Sequence, residues 1–168
     1  RDDYSKLTMG IFPRNKEQKF AYDLLFDDSI KFISLIGKAG SGKTLMAIAS
    51  GMEQTLSLSQ KNNKYSKIVV SRPVQPLGKD IGFLPGTMHE KMMPWLMPIQ
   101  DNLETIMGED KTYLNEYVER GKIQIEALTY IRGRSINNAF IVIDEAQNLT
   151  AHEVKTILTR VGENTKIV

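Results

Sequence analysis

The sequence predicts an α/β fold in which a mainly parallel β-sheet lies between two layers of helices. Short apolar runs with strand character alternate with helical patterns along the 168 residues, which is the order that builds such a three-layer fold. The run Ala139–Ile143 is apolar at every position, as is typical of a central parallel strand. At this length the chain is expected to form one domain, residues 1–168.

Each element is predicted from a local pattern. Helical patterns, several of them opened by capping residues, begin at Asn15, Thr44, Thr87, Asp110 and Thr150, and the fourth is expected to end at Gly121. Strand patterns occupy residues 32–36, 68–70, 123–127 and 139–143. A connection rich in glycine and proline follows the second strand, and Pro94 and Pro98 are expected to interrupt the next helix. These features predict a small helical insertion at about residues 76–121.

A phosphate-binding loop is predicted between the first strand, expected to be buried through Phe32, Ile33, Leu35 and Ile36, and the second helix. Residues 37–44 match G-x-x-x-x-G-K-[ST] at every fixed position. The glycines would let the backbone turn its N–H groups toward phosphate oxygens at a helix N-terminus. Lys43 would place a charge on the β- and γ-phosphates, and Thr44 would offer a hydroxyl to Mg²⁺. The nucleotide-binding residues are therefore predicted to be Gly37, Lys38, Ala39, Gly40, Ser41, Gly42, Lys43 and Thr44.

Two carboxylates follow the apolar strand that ends at Ile143. In α/β folds ligands bind at strand ends, so Asp144 is predicted to hold Mg²⁺. Glu145 would point elsewhere and is the candidate base for the attacking water, and Gln147 could orient that water or sense the γ-phosphate. The alternative is an acidic turn that only caps a helix. A GTPase fits poorly, because residues 144–147 lack the glycine of D-x-x-G.

Composition excludes several classes of function. The chain has no cysteine, so neither disulfides nor thiol catalysis is expected, and His89 and His152 are too far apart to suggest a metal site. No apolar stretch approaches 18 residues, and residues 1–4 lack the apolar core of a signal peptide. A cytoplasmic protein without a membrane span is therefore expected. The formal net charge of +2 is too small to indicate nucleic-acid binding by itself.

Several longer motifs resemble the PhoH family of P-loop ATPases. They are residues 72–74, 78–86, 130–134 and 144–150, and the resemblance covers the chain from Gly10. Residues 37–40 and 94–99 are most similar to the subtype whose ATPase follows an N-terminal PIN nuclease domain. The resemblance implies a RecA-like core, like that of superfamily-one helicases, with ATP and Mg²⁺ as cofactors.

The resemblance also implies roles for individual residues. Gln18 would read adenine and favour ATP over GTP, although it could instead serve the helix cap at Asn15. Nucleic-acid-facing or arginine-finger positions would be Arg72, Thr129, Arg132 and Arg134, each of which could also be an ordinary surface residue. The family has a further strand after residues 166–168, expected to lie between the phosphate-loop strand and the Asp144 strand. We therefore expect a gap in the sheet and a sequence truncated at its C-terminal end.

Three functions are compatible with these residues. The first is an ATPase that works on RNA or single-stranded nucleic acid, and the second is an ATP-driven switch or assembly protein. The third, a small-molecule kinase, is disfavoured by residues 144–147, which suit water activation. Because one RecA-like domain needs an arginine finger from a neighbour, a homo-oligomeric ring is expected, and the resemblance indicates a hexamer. The finger candidates are Arg132, Arg134 and Arg160.

Overall fold

The computed structural model describes residues 9–57, 63–73, 88–108, 111–131 and 135–168. The helices are α1 (Lys16–Phe26), α2 (Lys43–Leu56), α3 (Met88–Met107), α4 (Lys111–Glu119), α5 (Leu128–Ile131) and α6 (Ala151–Arg160). The strands are β1 (Lys67–Arg72), β2 (Ile123–Ala127), β3 (Ala139–Ile143) and β4 (Lys166–Ile167). Among the described helices, none combines the length and the apolar character needed to cross a membrane.

The four strands form one parallel sheet in the order β2-β1-β3-β4. In the register of the central strands, Val70 of β1 lies between Ile125 of β2 and Val142 of β3. Both central strands are buried, which explains why every buried position in them except Ser71 is apolar. The predicted α/β class and the mainly parallel sheet are confirmed.

Helices cover both faces of this sheet. On one face, Ile68, Val70, Phe140 and Val142 pack in a cluster with buried residues of α1, α2, α3 and α4. Alternate residues of the same strands point the other way, and Val69 and Ile141 pack with residues of α5 and α6. The period of two along each strand therefore separates the two helical layers.

The segment that leads into the phosphate-binding loop differs from its prediction. It was expected to be a buried strand, but it makes one parallel bridge, between Phe32 and Ile167, and Ile33 alone among its residues is buried. Phe32 is 54% exposed and Ile36 is 93% exposed. The neighbouring strand β4 is two residues long, so the ladder beside this segment is equally short. An apolar run does not become a central strand unless strands and helices cover it on both sides.

The expected gap in the sheet is also corrected. Strand β4 lies beside β3 through the pair Ile141–Ile167 and beside the loop-proximal segment through Phe32. Backbone hydrogen bonds of 2.9 Å join Ile167 to both Lys31 and Ile33. Residues 166–167 themselves therefore occupy the position that was expected to be empty.

Helix α3 runs without interruption through Pro94 and Pro98. Each proline removes one helical hydrogen bond and disfavours the helix by about 3 kcal/mol. The buried side chains of Leu96, Ile99 and Leu103 pack α3 into the main core cluster. Burial of each such residue contributes about 1.5–3 kcal/mol, so the three together are comparable to the cost of the two prolines and offset it.

Two predicted helix boundaries are confirmed. Helix α4 ends before Gly121, which has φ +72°. Helix α6 begins after Thr150, whose hydroxyl accepts the backbone N–H of Glu153 while the Glu153 carboxylate accepts the N–H of Thr150. This reciprocal capping box satisfies two groups that a helix N-terminus otherwise leaves unpaired.

Candidate functional site

The phosphate-binding loop, residues 37–44, lies directly before and at the start of α2. Gly40 has φ +77°, and Gly42, the N-cap residue of α2, has φ +81°. A Cβ added at Gly40 would meet no atom within 4 Å, so the backbone angle, rather than space, favours glycine there. The first turn of α2 presents its N–H groups and the positive end of the helix dipole to this loop. The arrangement suits an anion at the N-terminus of α2.

Lys43 folds back over the beginning of the loop. Its ammonium group donates hydrogen bonds to the carbonyl oxygens of Gly37, at 2.5 Å, and of Lys38, at 2.9 Å. The charge is therefore held at the mouth of the loop by the loop's own backbone. An anion bound by the N–H groups of α2 would lie within reach of this ammonium.

Thr44 and Asp144, which were predicted to share a metal ion, meet directly in the structure. The Thr44 hydroxyl donates a hydrogen bond of 2.7 Å to the Asp144 carboxylate, and both residues are half-buried. Asp144 immediately follows β3, and its N–H donates to the carbonyl oxygen of Ser71 at 2.8 Å. This backbone bond extends the β1–β3 pairing by one residue and fixes where the carboxylate stands.

The donor set at Thr44 and Asp144 suits Mg²⁺. Within the part of the chain that the structure describes, no three His, Cys, Asp or Glu side chains are grouped as a metal cage. Mg²⁺ in nucleotide sites characteristically takes one or two protein oxygens and completes its shell with phosphate oxygens and water. A hydroxyl and a carboxylate in contact therefore fit this ion.

Glu145 adopts a backbone conformation that is unusual for a side chain of its size. Its φ is +55°, in the left-handed region, and a short 3₁₀ turn, Ala146–Asn148, follows it. The amide group of Gln147 donates a hydrogen bond to the Glu145 carboxylate. Strained residues of this kind are concentrated at functional sites. The two neighbouring carboxylates therefore have different partners, the Thr44 hydroxyl for Asp144 and the Gln147 amide for Glu145.

Gln18 is brought to the loop by α1. Its side-chain amide donates to the carbonyl oxygen of Ser41 at 3.0 Å, and its side-chain oxygen accepts the N–H of Arg14 at 2.6 Å. Its backbone N–H donates to the Asn15 side chain at 2.8 Å. Gln18 thus contributes to the cap of α1 and also contacts the phosphate-binding loop.

The predicted arginine and threonine positions are placed only in part. Arg72 ends β1, at the carboxyl edge of the sheet where Asp144 lies. Arg160 is exposed at the end of α6, and its carbonyl oxygen accepts the N–H of Ile136, which precedes β3. Arg160 therefore lies at the opposite edge of the sheet from Asp144. Residues 132–134 and the side chain of residue 129 lie outside the described part of the chain.

The sequence analysis missed Lys166, which is fully buried on β4. Its ammonium group donates to the carbonyl oxygens of Leu25, at 2.8 Å, and Asp27, at 2.7 Å, at the end of α1. Burial, above all other influences, lowers the pKa of Lys166 to about 8. The available signal was a lysine directly before the apolar pair Ile167 and Val168, but its contact with Leu25 lies about 140 residues away in sequence.

Comparison with known proteins gives a consistent family assignment. A family model described as PhoH-like protein matches residues 10–168. Protein PhoH2 of Bacillus subtilis is 55% identical over 161 residues, which cover 95% of this chain and 36% of that protein. Protein PhoH2 of Mycolicibacterium smegmatis is 39% identical over 160 residues, covering 95% of this chain and 35% of that protein.

A further relative has a different length. The PhoH-like protein of Mycobacterium tuberculosis is 38% identical over 167 residues, covering 99% of this chain and 45% of that protein. The chain therefore spans less than half the length of these curated relatives.

Proposed function

This chain belongs to the PhoH family of P-loop ATPases, and on that premise we propose that it binds ATP with Mg²⁺ and hydrolyses the γ-phosphate. The observation that supports the proposal best is the hydrogen bond between Thr44 and Asp144. These residues are 100 positions apart, and each belongs to a separate motif predicted to serve the same ion. Their contact assembles the two motifs into one site.

In this mechanism the loop and Lys43 bind the phosphates. The N–H groups at the start of α2 would face the phosphate oxygens, and the Lys43 ammonium would exchange its carbonyl partners for the β- and γ-phosphates. Thr44 and Asp144 would hold Mg²⁺, which neutralises charge on the phosphate oxygens when it is bound. Preorganised charge of this kind contributes a large part of phosphoryl-transfer catalysis.

Glu145 is proposed as the general base. Its carboxylate would accept a proton from water as the water oxygen bonds to the γ-phosphorus and the bond to the β-phosphate oxygen breaks. The products are ADP and inorganic phosphate. The amide of Gln147 holds the Glu145 carboxylate, so its role in the mechanism would be to fix the direction of the base.

The finer part of the proposal concerns the substrate. We propose that hydrolysis drives work on RNA or another single-stranded nucleic acid, in the cytoplasm, and that Gln18 selects ATP over GTP. The placement of Arg72 at the same sheet edge as Asp144 supports this interpretation, as does the family resemblance of residues 130–134. A PIN nuclease domain preceding this ATPase, implied by the subtype resemblance, is likewise part of the proposal.

Assembly into a homo-oligomeric ring, a hexamer by resemblance, is also proposed. Because Arg160 lies at the sheet edge opposite Asp144, it could act as a finger only on a neighbouring subunit. Mixing an Arg160→Ala variant with a Lys43→Ala variant, each inactive alone, should restore part of the activity. If the subunits exchange and no activity returns, Arg160 is not a finger in trans.

The test of the proposed function is phosphate release from Mg²⁺–ATP by the full-length protein, with and without single-stranded RNA. Lys43→Ala should abolish ATP binding or turnover, because it removes the charge that meets the phosphates. Lys155→Ala, which removes an exposed lysine from α6 on the other face of the sheet, should leave both unchanged. Normal hydrolysis by Lys43→Ala would refute the assignment. Activity that RNA does not stimulate would favour an ATP-driven switch.

A further inference from the structure

The last turn of α1 is held by a buried charge from another element. The ammonium group of Lys166 contacts Leu25 and Asp27 and, at 3.4 Å, the carbonyl oxygen of Leu24. The negative end of the helix dipole is located here, so a cation is favoured. Desolvation opposes the charged form and the nearby Asp28 supports it. A buried charge is expensive, so its presence needs an explanation beyond packing.

Hydrogen-bond satisfaction of the carbonyl groups does not supply that explanation. The carbonyl oxygen of Leu24 also accepts the N–H of Asp27, and that of Asp27 also accepts the N–H of Ile30, both at 3.2 Å. The carbonyl oxygen of Leu25 also accepts from the Gln54 side chain at 3.1 Å. Each acceptor would therefore keep a donor without Lys166. What the ammonium adds is a fixed position for the end of the helix.

The other end of α1 reaches the phosphate-binding loop. Gln18, in the first turn, donates to the carbonyl oxygen of Ser41. The helix has 11 residues and so spans about 16 Å, and Tyr22 and Leu25 are fully buried against the core. A shift or rotation at the last turn of such a short, packed helix would displace Gln18 from the loop.

Lys166 also lies on the strand that links the two motifs of the site. Its neighbour Ile167 pairs with Ile141 of β3, the strand that precedes Asp144. On its other side, Ile167 pairs with Phe32, in the segment that precedes the loop. Lys166 therefore holds the end of α1 from a strand that lies between the segment before the phosphate-binding loop and the strand that precedes Asp144.

We propose that Lys166 is a positioning residue, which sets the place of Gln18 over the phosphate-binding loop and thereby the preference for adenine nucleotides. This inference rests on the proposed function. It assigns to a buried residue, remote in sequence from α1, an effect on nucleotide selectivity. The contacts of the Lys166 ammonium group are with the end of α1, so its effect on the nucleotide would be indirect.

The experiment compares kcat/KM for ATP and for GTP in the full-length protein. Lys166→Met should lower the ATP/GTP ratio at least fivefold through a higher KM for ATP, with kcat changed less than twofold. Gln18→Ala should lower the ratio similarly, and adding Lys166→Met to Gln18→Ala should change it no further. Lys166→Gln, which removes the charge and shortens the side chain, should act in the same direction, and it provides the test if Lys166→Met does not fold.

A matched control separates positioning from stability. Ile157→Ala removes a buried side chain from the opposite face of the sheet, so it should lower stability and leave the ATP/GTP ratio unchanged. If Lys166→Met reduced kcat equally for both nucleotides at an unchanged ratio, the inference would be wrong and the proposed function would stand. A wild-type protein that hydrolyses ATP without preferring it over GTP would overturn both the role of Gln18 and this inference.

Discussion

The two halves of the site both require a left-handed backbone residue, and they use different residue types for it. In the phosphate-binding loop the residues are Gly40 and Gly42, with φ of +77° and +81°. After β3 the residue is Glu145, with φ +55°. Glycine adopts this region freely, whereas another residue is strained there by about 1–2 kcal/mol. The difference indicates that only the backbone is needed at Gly40 and Gly42, whereas the turn keeps a side chain at Glu145 in spite of the strain.

The first test of the difference between the glycines and Glu145 removes the charge of the Glu145 side chain. Glu145→Gln should preserve ATP and Mg²⁺ binding and slow hydrolysis by at least roughly a hundredfold, the scale of general-base catalysis. Single-turnover hydrolysis and equilibrium nucleotide binding measure the two effects separately.

Asp144→Asn is the matched variant for Glu145→Gln, because it makes the same chemical change one residue earlier. It should weaken Mg²⁺-dependent binding, since Asp144 accepts the Thr44 hydroxyl where the ion is expected. Normal turnover by Glu145→Gln would mean that water is activated elsewhere and that the strain at Glu145 has no catalytic purpose.

Lys166 is a second residue whose side chain is unfavourable where it lies, because its charge is buried. The dependence of protein stability on pH tests this interpretation. The pKa of Lys166 is lowered to about 8, so the folded protein loses this proton before the unfolded chain, whose lysine has a pKa near 10.5. Stability should therefore rise as the pH increases, by about 2 kcal/mol between pH 8 and pH 10. Denaturant unfolding at several pH values measures this rise, and Lys166→Met should lack that contribution.

The rise of stability with pH should end near pH 10 because of Tyr65. Burial raises the pKa of Tyr65 to about 12, so above pH 10 the unfolded tyrosine ionises first and stability should fall again. A stability that is flat from pH 8 to pH 10 in the wild type would show that the Lys166 ammonium keeps an ordinary affinity for its proton.

A third glycine in this region serves a different purpose from the two in the loop. Gly51 lies within α2, and a Cβ there would come within 2.5 Å of the Phe140 ring and 2.8 Å of the Ile68 side chain. Gly51→Ala should therefore destabilise the fold by about 2 kcal/mol through overpacking, although alanine favours helices. Unchanged unfolding in denaturant would show that α2 can move away from β3.

Small changes in the free energy of unfolding are expected when the residue types of the two halves of the site are exchanged. Gly40→Ala should lower the free energy of unfolding by about 1 kcal/mol, because the strain of φ +77° is its only consequence. Glu145→Gly should leave that free energy unchanged or slightly raised and still abolish hydrolysis. Equal losses of stability in both variants would mean that the left-handed angle at Glu145 is not strained.

The elements that could be predicted from the sequence are those set by nearby residues. The capping box at Thr150 and the helix end at Gly121 depend on contacts within a few positions, and both are confirmed. The segment with Phe32 and Ile36 was predicted wrongly, because burial depends on which strands lie alongside. The continuity of α3 through Pro98 was missed for a similar reason, since packing outweighed a local preference.

The phosphate-binding loop could be predicted from the amino-acid sequence, because eight consecutive residues contain both the turn-forming glycines and the charged and hydroxyl groups proposed for the site. The parallel sheet could also be predicted, because the run Ala139–Ile143 is apolar at every position, as is typical of a strand covered on both faces. The hydrogen bond between Thr44 and Asp144 and the contact of Lys166 with the end of α1 became apparent only in the folded chain. Backbone preferences act over a few residues, whereas contacts across 100 or more positions depend on how the whole chain packs.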